Sequence, residues 1–202
     1  MYVPAPFAVD DAEAWALLAE ARLGVLVTHG AEGLHATHLP FAVDPEHGRL
    51  LGHVARPNDG GSAAAEGLAI FQGPSAYVSP AWYAAKAEHG RVVPTWNYEA
   101  VHVRGRLRWF DDPAGLLDVV QRLTDRFEAG RAAPWSVADA PADYVERLMA
   151  GIVGVELTVT AIEGKRKLSQ NRPAGDRARI VAGLAAEGPA EQALAARMSA
   201  AR

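Results

Sequence analysis

The sequence has no cysteine, no long apolar run and no excess of positive charge, and each absence excludes a class of protein. Without cysteine there is no disulfide scaffold, thiolate metal site, iron–sulfur cluster or cysteine nucleophile. Charged residues or histidine interrupt every apolar segment, so none reaches the roughly 20 residues of a membrane-spanning helix. The net charge of −4 lacks the basic excess of a strongly nucleic-acid-binding protein.

The composition that is present belongs to a folded domain. Half of the 202 residues are hydrophobic and 22% are charged. The first residues show no basic region followed by an apolar run, so we expect a cytoplasmic protein without a signal peptide. We expect a main domain over residues 1–184 and a helical or disordered tail over residues 185–202. P-loop, dinucleotide-binding and G-x-S-x-G motifs are missing from the sequence.

Short apolar segments separated by tight turns dominate the pattern. Residues 24–28, 34–43, 49–55 and 68–72 are typical of strands, with Pro40 marking an edge or bulge and Gly73-Pro74 ending the fourth. Residues 101–109 and 153–161 alternate apolar and polar side chains, as half-buried strands do. Helices are predicted after Asp10, after Asp112 and over residues 143–150. The pattern predicts a mainly β, α+β fold with an antiparallel sheet or barrel.

The histidines do not predict a metal site. His35 and His38 are three residues apart on a predicted strand, so their side chains point to opposite faces. A shared metal would need a bulge, and adding His53 or His102 would need a strand pairing that the sequence does not reveal. Hydrogen-bonded or surface histidines are the simpler interpretation.

Five segments carry polar and aromatic side chains where packing alone would not require them: residues 35–41, 52–58, 71–83, 93–98 and 164–173. Arg56, at a strand end, suits a phosphate anchor because a guanidinium binds two phosphate oxygens, although a solvated arginine is the simpler alternative. The aromatic residues of the third and fourth segments suit either a flat heteroaromatic ligand or a subunit interface. The basic run over 164–173 is either a solvated turn or a contact for an anion or nucleic acid.

In this order the five segments resemble the PaiB-like family of FMN-binding negative transcriptional regulators. The resemblance runs from Met1-Tyr2-Val3-Pro4 to about Leu184. Its most specific parts are Tyr-Val-Ser-Pro-Ala-Trp-Tyr at 77–83, Val-Pro-Thr-Trp-Asn-Tyr at 93–98 and Leu-Ser-Gln-Asn-Arg at 168–172. It implies a flavin-binding split β-barrel that forms a homodimer with FMN at the dimer interface.

The resemblance also implies which residues bind FMN, with no catalytic side chain and no metal. They form four groups: Thr37, His38 and Leu39 along the flavin; His53, Arg56 and Asn58 near the ribityl phosphate; Gln72 at the ring or chain; and, from the partner subunit, either Trp96 and Asn97 or Ser169 and Gln170.

Two positions depart from the family pattern. The family has an aromatic residue in the loop after Arg56, where this sequence reads Asn58-Asp59-Gly60-Gly61. The family also has tryptophan at the third place of Gly-Lys-x-Lys, which is Arg166 here. Both departures remove an aromatic side chain from the suspected binding region, which predicts that FMN is weakly held or lost.

Three functions remain open at this point. The first is an FMN-binding negative transcriptional regulator or flavin-linked sensor, whose DNA contact would use the Arg104, Arg106 and Arg108 face or the 165–167 run. The second is an FMN-dependent small-molecule oxidoreductase or flavin reductase, because FMN carries the redox chemistry itself and leaves no side-chain motif. The third is a dimeric scaffold that has lost its cofactor.

Overall fold

The structure, a computed structural model, describes residues 1–31, 33–58 and 64–201. Its strands are β1 (Gly24–Gly30), β2 (Gly33–Leu39), β3 (Ala42–Asp44), β4 (Arg49–Ala55), β5 (Glu66–Val78), β6 (Thr95–Phe110) and β7 (Ile152–Lys167). Its α-helices are α1 (Asp11–Glu20), α2 (Ala85–Glu88), α3 (Pro113–Glu128), α4 (Ala142–Met149), α5 (Ala174–Ala185) and α6 (Pro189–Ala200). Among these described residues, no helix is long and apolar enough to cross a membrane.

The strands form one antiparallel sheet in the order β2-β1-β5-β6-β7-β4-β3. β1 and β2 make a hairpin whose register runs from Gly24 opposite Leu39 to Gly30 opposite Gly33. Strand β2 also contacts β4, where Leu39 packs on Gly52. A Cβ added at Gly52 would lie only 2.8 Å from the Leu39 Cδ1. The sheet therefore curls without closing, and the predicted mainly β, split-barrel fold is confirmed.

The chain divides into two compact units. Unit 1 comprises Met1–Leu17, Gln72–Val101 and Glu163–Arg202, and unit 2 comprises Leu18–Phe71 and His102–Ile162. The assignment of residues 185–202 to a separate tail stays a prediction, and the structure places α6, within that range, in unit 1.

Helix α3 covers the β3–β4 hairpin in unit 2. Asp112 caps the helix by accepting a hydrogen bond from the Gly115 amide at 2.8 Å, and Pro113 occupies its first turn. One apolar stripe of the helix is buried, and this cluster contains Ala42, Leu51, Val119 and Leu123, with Phe110 and Phe127 packed against it. The predicted helix start after Asp112 is therefore observed, together with the surface that it buries.

Helices α5 and α6 close the core of unit 1. Their buried residues pack with strand residues in a cluster that includes Val78, Leu168, Ile180, Leu184, Leu194 and Met198. A Cβ at Gly183 would lie 2.4 Å from the indole of Trp82, so only glycine allows this close approach. The alanine-rich C-terminal segment is thus a packed helix pair.

Several strands are longer than their sequence patterns predict, and two of them change the interpretation of a motif. β5 continues through Gly73-Pro74 to Val78, and the prediction of a break there is wrong. A Cβ at Gly73 would lie 3.1 Å from the Glu99 Cβ, so glycine serves close strand approach here rather than a turn. β7 continues to Lys167, so the first part of the basic run is strand and not a turn.

Candidate functional site

The three motifs that carry the family resemblance are far apart in the chain and all belong to unit 1. The Tyr77 and Trp96 rings meet edge to face with centroids 6.4 Å apart. Both rings are about half exposed, at 48% and 53%. The Arg172 guanidinium lies 4.8 Å from the centre of the Tyr83 ring. The motifs therefore form one mixed aromatic and basic region.

A buried amide–hydroxyl pair lies at the centre of this region. The Asn97 Nδ2 donates to Ser169 Oγ at 2.9 Å, and the Ser169 hydroxyl lies 3.3 Å from Asn97 Oδ1. Ser169 has a φ of +61°, in the left-handed region that costs a non-glycine residue roughly 1 kcal/mol or more. The pair stabilises this backbone conformation, so both side chains have a structural role.

Gln170 has its side-chain amide occupied by its own turn. Its Oε1 accepts a hydrogen bond from the Leu168 amide at 2.8 Å, and its Nε2 donates to the Arg166 carbonyl. The side chain thus stabilises the end of β7, where the strand leads into α5.

A small cavity of about 140 Å³ opens beside the buried pair. It is lined by Phe7, Thr95, Asn97, Lys167, Ser169, Asn171 and Arg172. Lys167 Nζ donates to the Thr95 hydroxyl and to the Trp96 carbonyl, the latter at 2.6 Å. Burial lowers the pKa of Lys167. The sequence analysis placed Thr95 in the 93–98 segment and Lys167 and Arg172 in the basic run, but it assigned none of the three to the flavin site.

Glu99 is a buried carboxylate between two arginines in unit 1. Its side chain is 2% exposed, and its oxygens lie 2.7 Å from Arg166 Nε and 3.2 Å from Arg197 Nε. Arg166 also pairs with Glu13. Arg166, which stands where the family has tryptophan, therefore forms ion pairs with two carboxylates. The sequence pattern did not reveal these ion pairs.

Strand β2 places Thr37, His38 and Leu39 at one edge of the sheet in unit 2. His38 is exposed, Thr37 is partly exposed, and Leu39 is buried against Gly52, the residue before His53. Because β2 has β1 as its strand neighbour on one side and none on the other among the described strands, a row of its backbone groups has no strand partner. The structure thus brings the first predicted group beside the strand that carries the second.

His53 lies near the end of β4, and Arg56 and Asn58 lie in the 3-10 turn that follows the strand. Burial lowers the pKa of His53, which keeps the imidazole neutral at pH 7. Arg56 Nε donates to the Ala150 carbonyl at 2.8 Å, and Arg56 Nη2 lies 3.6 Å from Asp111. Asn58 is exposed at the end of this turn. Residues 59–61, where the family has an aromatic residue and this sequence has none, lie outside the described residues.

Gln72 is exposed in unit 1, and its amide donates to Ser75 Oγ at 3.2 Å. The predicted site residues therefore fall into two sets. Thr37, His38, Leu39, His53, Arg56 and Asn58 belong to unit 2, and Gln72, Trp96, Asn97, Ser169 and Gln170 belong to unit 1.

Arg108, on the predicted basic face of β6, has local partners in unit 2. Arg108 Nη2 lies 3.1 Å from Glu156, and its guanidinium lies 4.7 Å from the centre of the Phe110 ring. The side chains of Arg104 and Arg106 on the same face are exposed. Because Arg108 is exposed too, all three arginines present charge at the surface.

In the part of the chain that the structure describes, no three histidine, cysteine, aspartate or glutamate side chains are grouped as ligands for a metal ion. His35 and His38 lie on β2 opposite Thr28 and Val25 of β1.

Solved structures share this fold. The chain superposes on a conserved hypothetical protein of Mycobacterium tuberculosis with a TM-score of 0.61, covering 86% of this chain and 94% of that one at 16% identity. It also superposes on the FAD and haem binding protein of Mycobacterium smegmatis with a TM-score of 0.56, covering 84% and 77% at 17% identity. The fold is therefore of the class formed by split-barrel flavin-binding proteins.

Sequence comparison then identifies the family. Residues 1–161 match the model described as "Putative FMN-binding domain". The chain is 33% identical over 187 residues to Protease synthase and sporulation protein PAI 2 of Bacillus subtilis, covering 90% of this chain and 87% of the relative. An uncharacterised Emericella nidulans protein is 32% identical over 209 residues, covering 83% of each chain. The chain belongs to this PaiB-like FMN-binding domain family.

Proposed function

We propose that this protein is an FMN-binding homodimer that acts as a negative regulator of transcription or as a flavin-linked sensor. Membership in the FMN-binding domain family supports the cofactor. The observation that carries the proposal is the edge of β2 in unit 2 that has no partner among the described strands. The same strand contacts β4, which leads directly into Arg56. That combination offers backbone groups to a ring edge and a cation to a phosphate. The expected location is the cytoplasm.

The donor set in unit 2 fits FMN. The backbone N–H and C=O groups of residues 37–39 on the edge without a strand partner would suit the polar edge of the isoalloxazine ring, which needs both donors and acceptors. Arg56 uses Nε on a carbonyl, which leaves its Nη groups to bind phosphate, and its side chain is 45% exposed. His53 and Asn58, three and two positions from Arg56 in the sequence, would add a neutral imidazole and an amide. Bound FMN would supply reversible hydride or electron transfer, and these residues position it.

Residues of unit 1 support the dimer. The Tyr77 and Trp96 rings are exposed and in contact, and aromatic residues of this kind are enriched in protein interfaces. Trp96 would contact flavin in the partner subunit, and Gln72 would reach the ring or chain. The side chains of Asn97, Ser169 and Gln170 form hydrogen bonds within their own unit. They would therefore stabilise the surface that meets the partner subunit, rather than bind the partner's flavin directly.

The first experiment is a titration of FMN fluorescence with the purified protein, accompanied by a visible spectrum. We expect quenching with micromolar affinity. An absence of both bound flavin and quenching would contradict the cofactor assignment and favour the scaffold that has lost its cofactor.

The regulatory role needs a separate experiment. Exposed Arg104 and Arg106 lie on one face of β6, where a dimer would double them. We expect the protein to shift DNA from its own promoter region, with an affinity that falls steeply as salt rises. NAD(P)H oxidation with added FMN and no DNA shift would instead favour the FMN-dependent oxidoreductase or flavin reductase.

A further inference from the structure

The cavity in unit 1 beside Asn97 and Ser169 is too small for a flavin ring. Its volume is about 140 Å³, whereas sites for drug-sized ligands occupy roughly 300–1,000 Å³. It is large enough for a few water molecules, at about 30 Å³ each in the liquid. A single tetrahedral oxyanion has this size range.

The charge of the cavity wall is entirely positive. Of its lining residues, all in the described part of the chain, Lys167 and Arg172 are cationic and none is acidic. The other polar residues of the wall, Thr95, Asn97, Ser169 and Asn171, carry hydroxyl or amide groups. Two cations with neutral hydrogen-bonding groups form a wall suited to a phosphate dianion.

The donors are held in place before any ligand arrives. Lys167 spends two of its three N–H donors on Thr95 Oγ1 and the Trp96 carbonyl, which fixes the ammonium and leaves one donor. The Arg172 guanidinium lies against the Tyr83 ring, which is 2% exposed. The Ser169 hydroxyl donates its one proton to Asn97, so Ser169 shapes the wall and leaves the ligand's donors to Lys167, Arg172 and Asn171. Preorganised donors lower the entropic cost of binding.

The electrostatics of Lys167 favour an anionic ligand. Burial lowers its pKa, and the charge of Lys165 adds to that effect, with Tyr98 opposing it. A bound anion would reverse the shift by stabilising the ammonium. This contribution is secondary to the geometry of the cavity.

We propose that this cavity binds the phosphate group of a small phosphorylated ligand, at a site separate from the FMN phosphate that Arg56 would hold. Two positive charges favour a phosphate dianion over a carboxylate monoanion. The ligand's remaining atoms would extend out of the cavity towards solvent. The proposal goes beyond the flavin and does not depend on it.

The test is calorimetric titration of the flavin-free protein with inorganic phosphate at constant ionic strength, with acetate as the monoanion comparison. We expect phosphate to bind and Lys167→Gln and Arg172→Gln each to weaken it by about tenfold or more. Lys86→Gln is the matched control, because Lys86 is exposed on α2 and does not line the cavity. Urea unfolding of each variant checks that it remains folded.

A parallel FMN titration separates the two sites. Unchanged FMN affinity in Lys167→Gln, with phosphate binding lost, supports a separate phosphate site. A loss of both affinities would assign the cavity to the flavin's own phosphate and overturn the proposal. No phosphate binding by the wild type up to about 10 mM, equal binding by Lys167→Gln, or tighter binding of acetate would also overturn it. Phosphate binding without any FMN binding would contradict only the proposed function.

Discussion

Arg56 is the single side chain on which the FMN proposal depends most. Its Nε is anchored to the Ala150 carbonyl, and the exposed Asp111 lies 3.6 Å from its Nη2. An ion pair between exposed groups is weak, typically below 1 kcal/mol, so a phosphate competes well for the Nη groups. The anchored arginine is therefore preoriented for an anion.

We expect Arg56→Ala to weaken FMN binding by more than about tenfold, because a charge-assisted phosphate contact contributes roughly 1.5–3 kcal/mol. Quenching of FMN fluorescence measures it. Arg122→Ala is the control, since Arg122 pairs with Asp118 on the exposed face of α3. Equal affinities for the wild type and Arg56→Ala would remove Arg56 from the site.

Asp44 illustrates a different role for a charged residue, in stability rather than binding. Burial raises its pKa, but hydrogen bonds from His47 and Arg49 outweigh this and lower the pKa to about 2. Arg49 also reaches Glu156 at 3.0 Å. The carboxylate thus joins β3, the following turn and β4.

The lowered pKa predicts how stability depends on pH. The unfolded-state value of 3.8 exceeds the folded value of about 2, so the stabilisation by Asp44 is complete above pH 3.8 and lost as pH falls through about 2. Urea unfolding should show Asp44→Asn to be about 2 kcal/mol less stable than the wild type at pH 6. The difference should shrink towards pH 2, and a constant difference would contradict this assignment.

At the scale of elements, close contact between β6 and β7 depends on glycine. A Cβ at Gly105 would lie 2.3 Å from the Thr158 carbonyl oxygen and 2.5 Å from Leu157 Cδ2. Backbone cannot move aside as a flexible side chain can. Gly175 in the first turn of α5 has open space around it and makes a matched comparison.

We expect Gly105→Ala to lower the free energy of unfolding by about 2 kcal/mol or more, because strand separation must increase. Gly175→Ala should raise it by roughly 0.5–1 kcal/mol through lower unfolded-state entropy and better helix propensity. Urea denaturation of the two variants measures both changes. Equal effects of the two substitutions would contradict the close approach.

At the scale of the whole molecule, exposed apolar side chains favour self-association. Tyr77, Trp96 and Leu34 are large and 48%, 53% and 76% exposed. Aromatic residues are enriched in protein interfaces, and burying them against a second copy would remove apolar area from water.

We therefore expect a homodimer at micromolar concentration. Light scattering should give about twice the chain mass of 21.5 kDa. Trp96→Glu should shift the population towards monomer, because a buried charge would destabilise the interface, whereas Lys86→Glu should not. A mass of 21.5 kDa for the wild type would contradict both the dimer and an interfacial flavin site.

Local patterns predicted much of the fold. Alternating residues predicted the later part of β6 and the first part of β7, and the Asp112-Pro113 start predicted α3. Period and capping are properties of neighbouring residues, so a local pattern can reveal them. Gly73-Pro74 misled the prediction of β5. Close approach to Glu99, which lies 26 positions away in sequence, decides the conformation there.

The same limit applies to the candidate sites. The sequence by itself determined the family, the mainly β class and the three motifs, since these depend on residue identity and local spacing. Only the tertiary structure decided that Asn97 bonds Ser169, that Arg166 holds Glu99, and that Lys167 and Arg172 line one cavity. Such contacts join distant segments, and their energies depend on burial and distance, which arise only when the chain packs.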